Sequence, residues 1–240
     1  MSEESVSEKT GRKKTADPQN GTDPRHSSFW QSRYQSQNWP WDLGQASPHF
    51  KLFFNTDDTA ALLQPIVSPL GGPKKTALVP GAGRGHDGAY LVELGFAVTC
   101  VDYAPGALET ARLAYPDLIS GKLKQMDYQV KDIFSLANQD AYHTRFDLLL
   151  EHTCFCAIPP NRRGDYVRMA EAVLKPGGFL LGVFWQHSGP DDDGPPFSVT
   201  PATVADTFQA GFDCRYQISA PAVCGRSGTE TLMLWQRHSD

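Results

Sequence analysis

The chain has 240 residues, which fits one domain with an appended terminus better than two independent domains. Lysine and arginine number 22 against 27 aspartates and glutamates, and this net charge of -5 argues against a dedicated nucleic-acid binder. No apolar run approaches the length of a membrane span, no secretory-signal pattern opens the chain, and the five cysteines include no C-x-x-C pair. We therefore expect a cytoplasmic protein with reduced thiols and with neither a nucleic-acid nor a membrane partner.

The first part of the chain divides at about residue 26. Residues 1–26 have almost no apolar side chains, so burial cannot offset the entropy of ordering them, and they predict a disordered tail. A basic nucleic-acid arm at Arg12–Lys14 is the less favoured alternative. Residues 27–240 are then expected to form the folded domain, with an N-terminal lid at 27–73 and an α/β core at 74–240.

An aromatic stretch follows the tail. Trp30, Tyr34 and Trp41 belong to a run of eight aromatic side chains between residues 29 and 54, too aromatic for a linker and too irregular for a strand. We expect short helices and turns folded over a pocket, with simple core packing as the alternative. Apolar spacing then predicts a helix over 57–67.

From residue 76 onward, short apolar runs alternate with helical patterns. The predicted strands cover 76–80, 96–101, about 123–130, 146–150, 179–185, about 213–219 and 230–236, and the predicted helices cover 86–94, 105–114, 161–174 and 201–210. This alternation predicts an α/β fold with a Rossmann-like, doubly wound, mostly parallel seven-stranded sheet. The last two strands follow one another directly, which predicts a terminal hairpin whose last strand is antiparallel.

A glycine turn, 81–85, follows the first predicted strand. Ligands of open parallel sheets bind at the carboxyl ends of the strands, and glycine lets the backbone turn sharply and approach a ligand. Asp102, 19 residues beyond Gly83, ends the second strand, where an acid accepts hydrogen bonds from both hydroxyls of an adenosine ribose. We predict Gly81, Gly83 and Asp102 as cofactor-binding residues, with a helix cap as the alternative role of Asp102.

Nicotinamide-dependent dehydrogenases have a similar glycine-rich turn after their first strand. Their fingerprint requires a small residue for close helix–strand packing at the position where this chain has His86. The chain continues instead with Asp132 after the third strand and with Lys175–Gly178 before the fifth, an arrangement similar to class I methyltransferases. A nicotinamide oxidoreductase is therefore disfavoured. A solvated loop position remains the alternative to a cofactor role for Asp132.

With these residues placed, the sequence resembles the thiopurine S-methyltransferase-like family, particularly its halide/thiol methyltransferase branch. The resemblance runs from Phe29 to about Trp185 and is carried by Phe29-Trp30, Trp41-Asp42 with Gly44, Leu78–Asp87, Val101-Asp102, Lys131–Phe134, Phe155–Pro159 with Arg163, and Leu174–Gly178. It implies S-adenosylmethionine as the cofactor, bound by Trp30, Trp41, Gly81, Asp102, Asp132, Ile133 and His152. Tyr34 and Ala82 replace residues common in relatives, and the stretch 151–154 also differs, which leaves the substrate preference open.

The implied reaction is the in-line transfer of a methyl group from a sulfonium to a thiolate, thiocyanate or halide. Such a nucleophile needs alignment and a dry site more than a strong base. The aromatic faces of Trp30, Tyr34 and Trp41 are expected to stabilise the sulfonium. Arg163 is predicted as the catalytic cation that attracts an anionic acceptor, with a surface ion pair as the alternative.

Three side chains near the fourth strand have open roles. His152 is a possible proton acceptor, although a structural or adenine-contacting role is equally compatible with its position. Cys154 and Cys156 share a face, and core packing is favoured over metal binding because no further ligand lies at metal-site spacing. No metal site is predicted.

The predicted activity is S-adenosylmethionine-dependent methylation of a small soft nucleophile. The alternatives are methylation of another small metabolite, such as an amine or a carboxylate, and a catalytically silent S-adenosylmethionine-binding protein that regulates a partner. The small-molecule nucleophile is the expected partner, and the protein is expected to be a monomer or a weak oligomer.

Overall fold

The strand–helix alternation forms a seven-stranded sheet in a computed structural model that describes residues 23–187, 194–223 and 225–239. The strands are β1 (Thr76–Pro80), β2 (Ala97–Asp102), β3 (Met126–Val130), β4 (Phe146–His152), β5 (Leu174–Gln186), β6 (Phe212–Pro221) and β7 (Thr229–Arg237). Their order is β3-β2-β1-β4-β5-β7-β6, with β1 to β5 parallel and β7 antiparallel to both neighbours. The predicted fold class and terminal hairpin are confirmed, and the strand order reverses between β1 and β4.

The helices flank this sheet and also form most of the segment before it. They are α1 (Ser27–Gln35), α2 (Pro48–Asn55), α3 (Ala60–Leu63), α4 (His86–Glu93), α5 (Pro105–Ala114), α6 (Pro116–Ile119), α7 (Arg163–Val173) and α8 (Pro201–Phe208). The single helix predicted over 57–67 is wrong, because it forms a 3-10 turn followed by the short α3. Pro65 lacks an N–H and cannot donate the next helical hydrogen bond, which limits the helix although Gln64 before it keeps helical backbone angles.

The fifth strand starts earlier than its apolar run indicates. Leu174 already pairs with Phe146, and a register shift follows between Phe146 and Leu148 before regular pairing resumes at Phe179. The predicted helix over 161–174 is shortened at both ends, because residues 160–162 form a 3-10 turn and Leu174 is extended. These differences lie at element ends, where sequence patterns are weakest.

Two layers of buried side chains cover the two faces of the sheet, so the central strands are apolar on both faces, as parallel strands usually are. Leu148 and Leu150 face one layer, and Leu149 faces the other. Phe50 and Phe53 of α2 are fully buried in the first layer. Each of these side chains contributes about 1.5–3 kcal/mol of burial free energy. The aromatic segment before the sheet is therefore part of the core as well as a cover.

The predicted tail and the described structure overlap over four residues. Residues 1–22 of the predicted tail lie outside the described residues, whereas 23–26 lie within them. The Arg25 guanidinium donates hydrogen bonds to the Asp23 carboxylate, and the Trp30 indole N–H donates to the Pro24 carbonyl at 2.9 Å. No helix in the described ranges is long and apolar enough to cross a membrane.

Candidate active site

The glycine turn connects β1 to α4 at the point where the strand order reverses. Gly81, Gly83 and Gly85 all have φ in the left-handed region, at 58°, 54° and 80°. A Cβ atom on Gly81 would lie 2.8 Å from the Cys154 Sγ, closer than side-chain atoms approach one another. The turn therefore needs glycine at position 81 both for its backbone conformation and for its contact with the loop after β4.

Close packing between α4 and the sheet depends on Gly88, two residues beyond the position used in the dehydrogenase fingerprint. A Cβ there would lie 2.5 Å from the Cys100 Sγ and 2.8 Å from the Met126 Sδ. His86 points elsewhere, with its Nδ1 2.6 Å from the Tyr115 hydroxyl and its Nε2 3.4 Å from an Asp42 carboxylate oxygen. His86 thus connects the aromatic segment to the glycine turn.

Asp102 ends β2 and is 8% exposed. One carboxylate oxygen accepts a hydrogen bond from the Gly83 N–H at 2.9 Å, and the other accepts one from the Ala104 N–H at 2.9 Å. Burial raises the pKa of Asp102, and these backbone donors oppose that effect. Each oxygen keeps a second lone pair, so the carboxylate can also accept hydrogen bonds from two hydroxyls.

A cleft of about 860 Å³, here called cavity A, lies at the carboxyl ends of β1, β2 and β4. Its wall includes eight of the residues predicted from the sequence: Trp30, Tyr34, Trp41, Gly81, Asp102, Asp132, Ile133 and His152. Gly83, also predicted, does not line cavity A. Its N–H donates a hydrogen bond to Asp102, which does. Sequence reasoning missed other wall residues, including Pro24, Arg25, Tyr103, Phe134 and Arg162.

Asp132, for which the sequence left a cofactor role and a solvated loop position open, is half-buried in the loop after β3. It precedes a 3-10 segment, Ile133–Asn138, and its carboxylate accepts a hydrogen bond from the Phe134 N–H at 3.0 Å. The same residue also lines cavity A, beside the nearly buried Ile133. A carboxylate next to an apolar slot can bind the polar edge of a flat ring whose faces contact Ile133 and Phe134.

Three aromatic side chains, Trp30, Tyr34 and Trp41, also line cavity A. The ring centroids of Trp30 and Trp41 are 5.5 Å apart, and those of Tyr34 and Trp41 are 6.0 Å apart, both in edge-to-face geometry. The Trp41 carbonyl also accepts a hydrogen bond from Arg226, which lies just before β7. These contacts join the three aromatic rings into one wall of cavity A.

His152, the last residue of β4, forms a buried pair with Asp87 of α4. The His152 Nδ1 lies 2.7 Å from one Asp87 carboxylate oxygen, and the other accepts a hydrogen bond from the Ser47 N–H at 2.8 Å. Burial lowers the pKa of His152, but Asp87 outweighs that effect and the net pKa is raised. The His152 Nε2 has no hydrogen-bond partner among residues 23–187, 194–223 and 225–239.

Arg163, predicted as the catalytic cation, does not face either cavity described here. Its side chain is buried, donates a hydrogen bond to the Ser198 carbonyl at 3.1 Å and lies 5.2 Å from the centre of the Phe155 ring. Arg162, one residue earlier, lines cavity A and stacks 3.8 Å from the Phe134 ring centre. Arg162 ends the 3-10 turn before α7 and Arg163 begins the helix, so the two neighbouring side chains leave the backbone in different directions.

A second cleft of about 740 Å³, cavity B, adjoins cavity A. The two share a wall formed by Trp30, Trp41, Thr153 and Ala157. Beyond this wall, cavity B is lined by two cations that sequence reasoning missed, Arg33 and Arg226, and by Trp185 and other residues. These arginines lie far apart in the chain and belong to no motif, so no sequence signal marked them.

The Arg226 guanidinium is held by charged partners behind cavity B. It forms an ion pair with Glu230 at 3.0 Å, and Glu230 in turn lies 2.8 Å from the His49 Nε2. Both Arg226 and Glu230 are almost completely buried. The arrangement can present a fixed positive charge to a small anion while a dry, aromatic environment surrounds it.

Comparisons with known proteins agree with this architecture. The family model described as "Thiopurine S-methyltransferase (TPMT)" matches residues 25–224. The chain is similar to "Thiocyanate methyltransferase 1" of Brassica oleracea, with 30% identity over 210 residues that cover 87% of this chain and 84% of the relative. It is also similar to "Probable thiol methyltransferase 2" of Arabidopsis thaliana, with 27% identity over 218 residues covering 89% and 86%.

A solved structure supports the fold. The Burkholderia thailandensis 1,6-didemethyltoxoflavin-N1-methyltransferase, bound to 1,6-didemethyltoxoflavin and S-adenosylhomocysteine, superposes with a TM-score of 0.60 at 19% identity and covers 88% of this chain and 87% of its own. At this identity the likeness concerns the fold alone. Together with the family match over most of the described domain, these findings show that the chain belongs to the thiopurine S-methyltransferase family.

Proposed function

We propose that this protein is an S-adenosylmethionine-dependent methyltransferase whose acceptor is a small soft nucleophile: a thiol or thiolate, thiocyanate or a halide. The observation that carries the proposal is the pair of joined cavities, with carboxylates in cavity A and two arginines in cavity B. The names of the relatives, a thiocyanate methyltransferase and a probable thiol methyltransferase, support the same acceptor class.

The residues of cavity A fit S-adenosylmethionine. Asp102 has free lone pairs for the two ribose hydroxyls, and Asp132, Ile133 and Phe134 offer a carboxylate and apolar side chains to an adenine ring along the same wall. Gly81 also lines this cavity, where its left-handed backbone and its contact with Cys154 fix the turn. The aromatic rings of Trp30, Tyr34 and Trp41 supply electron-rich faces for a sulfonium, as expected from the sequence.

The residues of cavity B fit an anionic acceptor. When bound, S-adenosylmethionine supplies an electrophilic methyl group on a sulfonium. Arg33 and Arg226 attract the anion, and the shared wall at Trp41 and Thr153 sets its line of approach toward cavity A. The aromatic rings exclude water from the nucleophile, which strengthens its attack. This proposal gives Arg33 and Arg226 the role that the sequence assigned to Arg163.

The broadest test is an acceptor screen that follows S-adenosylhomocysteine release with iodide, thiocyanate, hydrosulfide, aromatic thiols, amines and carboxylates. We expect turnover with the first four classes. Turnover with amines or carboxylates alone would identify a different small-metabolite methyltransferase. Binding of S-adenosylhomocysteine without turnover of any acceptor would identify a silent cofactor-binding protein.

Replacement of Asp102 by alanine is expected to weaken S-adenosylhomocysteine binding by about 1.5–3 kcal/mol, because a charge-assisted hydrogen bond to a ribose hydroxyl is lost. Isothermal titration calorimetry measures the change. Asp127→Ala is the matched control, since this exposed carboxylate lies on β3 outside the wall of cavity A. Equal affinities for wild type and Asp102→Ala would remove Asp102 from the cofactor site.

Replacement of Arg33 by methionine keeps the apolar stem and removes the charge. We expect kcat/KM for thiocyanate to fall by about 3-fold to 10-fold, since the partly exposed cation contributes about 1 kcal/mol to attraction of the anion. Affinity for S-adenosylhomocysteine should stay unchanged. Arg168→Met, which removes an exposed cation paired with Asp165, is the control. If both variants lose activity equally, general surface charge rather than cavity B is responsible.

The proposal also covers the location of the protein, its partners and its oligomeric state. We propose a cytoplasmic enzyme whose partner is the small acceptor and which works as a monomer or weak oligomer without nucleic acid. Support comes from the net charge of -5 and from free thiols at Cys100, Cys154, Cys156 and Cys214. The tail, residues 1–26, is proposed to be dispensable for turnover, which can be tested with a protein that starts at Ser27.

A further inference from the structure

His152 and Asp87 form a buried, hydrogen-bonded pair. Methylation of an acceptor that is already an anion does not require this pair. We propose that the His152 Nε2 is the general base that removes the proton from a neutral thiol acceptor, and that Asp87 is the residue that positions the ring. This inference rests on the proposed function. It adds thiols in their protonated form to the acceptors that the enzyme activates.

The position of His152 supports a role at the acceptor end of the site. The ring lines cavity A, and the next residue, Thr153, belongs to the wall shared with cavity B. Thr153 has φ 57°, an uncommon conformation for a β-branched residue, and its carbonyl accepts a hydrogen bond from the Cys156 thiol at 3.1 Å. The strand end that carries His152 is thus held in a fixed geometry where the two cavities meet.

The hydrogen bonds of the pair decide which ring nitrogen is basic. The Nδ1 lies 2.7 Å from the Asp87 carboxylate, which only accepts, so Nδ1 carries the hydrogen and Nε2 carries the lone pair. Asp87 is itself fixed by the Ser47 N–H at 2.8 Å, and the Phe50 ring packs edge-to-face on the imidazole at 5.7 Å. Within the described residues, nothing donates to the buried Nε2. A proton donor in the cavity would satisfy it.

The charged groups around the ring allow it to gain a proton. Asp87 on α4 favours the imidazolium, as do Glu230 on β7 and Glu151 on β4, whereas Arg226 disfavours it. Glu230 also pairs with Arg226 and with His49 of α2, so their opposing effects on His152 partly cancel. Asp87 is therefore the decisive neighbour, since it raises the pKa of His152 and stabilises the imidazolium that forms when the ring accepts a proton.

The proposed step balances as follows. The thiol S–H bond breaks and its proton passes to the His152 Nε2. The sulfur electron pair forms the bond to the methyl carbon, and the pair of the broken carbon–sulfonium bond stays on the sulfur of S-adenosylhomocysteine. The imidazolium, stabilised by Asp87, returns its proton to solvent after the products leave. Thiocyanate and halides need no such step.

The test compares a neutral and an anionic acceptor in the full-length protein. With His152→Gln, we expect kcat/KM for 2-mercaptoethanol at pH 7 to fall by about 100-fold, the usual effect of losing a general base. For thiocyanate we expect a change below about 3-fold, since thiocyanate reacts without losing a proton. His143→Gln is the matched control, because this exposed histidine bonds to the Ala137 carbonyl away from both cavities.

A pH profile tests Asp87 separately. Wild-type kcat/KM for the thiol should rise with pH through the pKa of His152, because only the neutral ring accepts a proton. Asp87→Asn removes the charge that favours the imidazolium, so this limb should move by about 1 pH unit toward acid, and the plateau should fall because the base is weaker. If Asp87 had only a structural role, the rise of kcat/KM would stay at the same pH in Asp87→Asn. The thiocyanate profile should lack it.

The outcomes separate the two proposals. Equal losses on both acceptors, or an unshifted limb in Asp87→Asn, would overturn the general-base inference. Loss of S-adenosylhomocysteine affinity in His152→Gln, measured by calorimetry, would also overturn it and assign His152 to the cofactor, as the family resemblance implies. If the wild-type enzyme binds S-adenosylhomocysteine but methylates neither acceptor, the proposed function itself fails.

Discussion

Alanine in place of Gly81 is expected to destabilise the protein by about 2–5 kcal/mol. A left-handed backbone conformation costs a residue with a Cβ about 1–2 kcal/mol, and overpacking a tight contact costs about 1–3 kcal/mol more. Both apply here, since φ is 58° and the new Cβ would lie 2.8 Å from the Cys154 Sγ and 3.0 Å from its Cβ. Urea unfolding measures the loss, and calorimetry should show weaker S-adenosylhomocysteine binding.

A matched variant separates the two causes. Gly44 has φ 68° but no atom within 4 Å of an added Cβ, so Gly44→Ala carries only the conformational cost. In the double variant Gly81→Ala with Cys154→Gly, part of the lost stability should return because the facing side chain is gone. If Gly81→Ala and Gly44→Ala lose equal stability, the contact with Cys154 contributes nothing.

The free energy of unfolding is expected to fall by about 3 kcal/mol between pH 4.5 and pH 8 through Glu151. This side chain is fully buried, and burial raises its pKa from 4.5 to about 7 despite hydrogen bonds from the Phe155 N–H at 2.7 Å and the Tyr166 hydroxyl at 2.5 Å. Because the folded-state pKa lies above the unfolded value, its contribution is complete below pH 4.5 and is lost as pH rises through 7.

Urea unfolding at several pH values between 4.5 and 8 measures this dependence. Glu151→Gln has no proton to exchange and should flatten it, while Glu109→Gln, an exposed carboxylate of α5, should keep the wild-type slope. His152, whose pKa is also raised, changes stability in the same direction and interacts with Glu151, so the difference between wild type and Glu151→Gln gives the Glu151 contribution together with its coupling to His152. A wild-type stability that is constant over this range would contradict the prediction.

Features with a local or periodic signal were predictable from the sequence. Buried strands alternating with helices determine the parallel sheet, and the terminal pair of strands determines the antiparallel edge. Because parallel strands bring their carboxyl ends to one edge, the turn at Gly81, Asp102 and Asp132 had to meet there. The aromatic stretch with Trp30 and Trp41 was recognisable as a pocket cover by composition and family resemblance.

Features that depend on distant contacts were not predictable. His152 and Asp87 are 65 positions apart, and no motif links them. Arg33 and Arg226 line the same cavity only because α1 and the segment before β7 both border cavity B. The sequence predicted a cation at Arg163, whereas in the structure Arg162 lines cavity A and Arg163 donates to the Ser198 carbonyl, a difference that depends on the backbone of the turn before α7.

The shared wall between the two cavities limits how the acceptor range of this enzyme can diversify. Trp30, Trp41, Thr153 and Ala157 belong to both cavities, so with the proposed cofactor in cavity A and acceptor in cavity B, a substitution there is expected to alter the binding of both. Asn38, Trp185 and Pro196 line cavity B alone. Changes at these outer positions can enlarge or reshape the acceptor space at little cost to the cofactor. Natural variants and engineered libraries with new acceptors should therefore accumulate substitutions on this outer rim first.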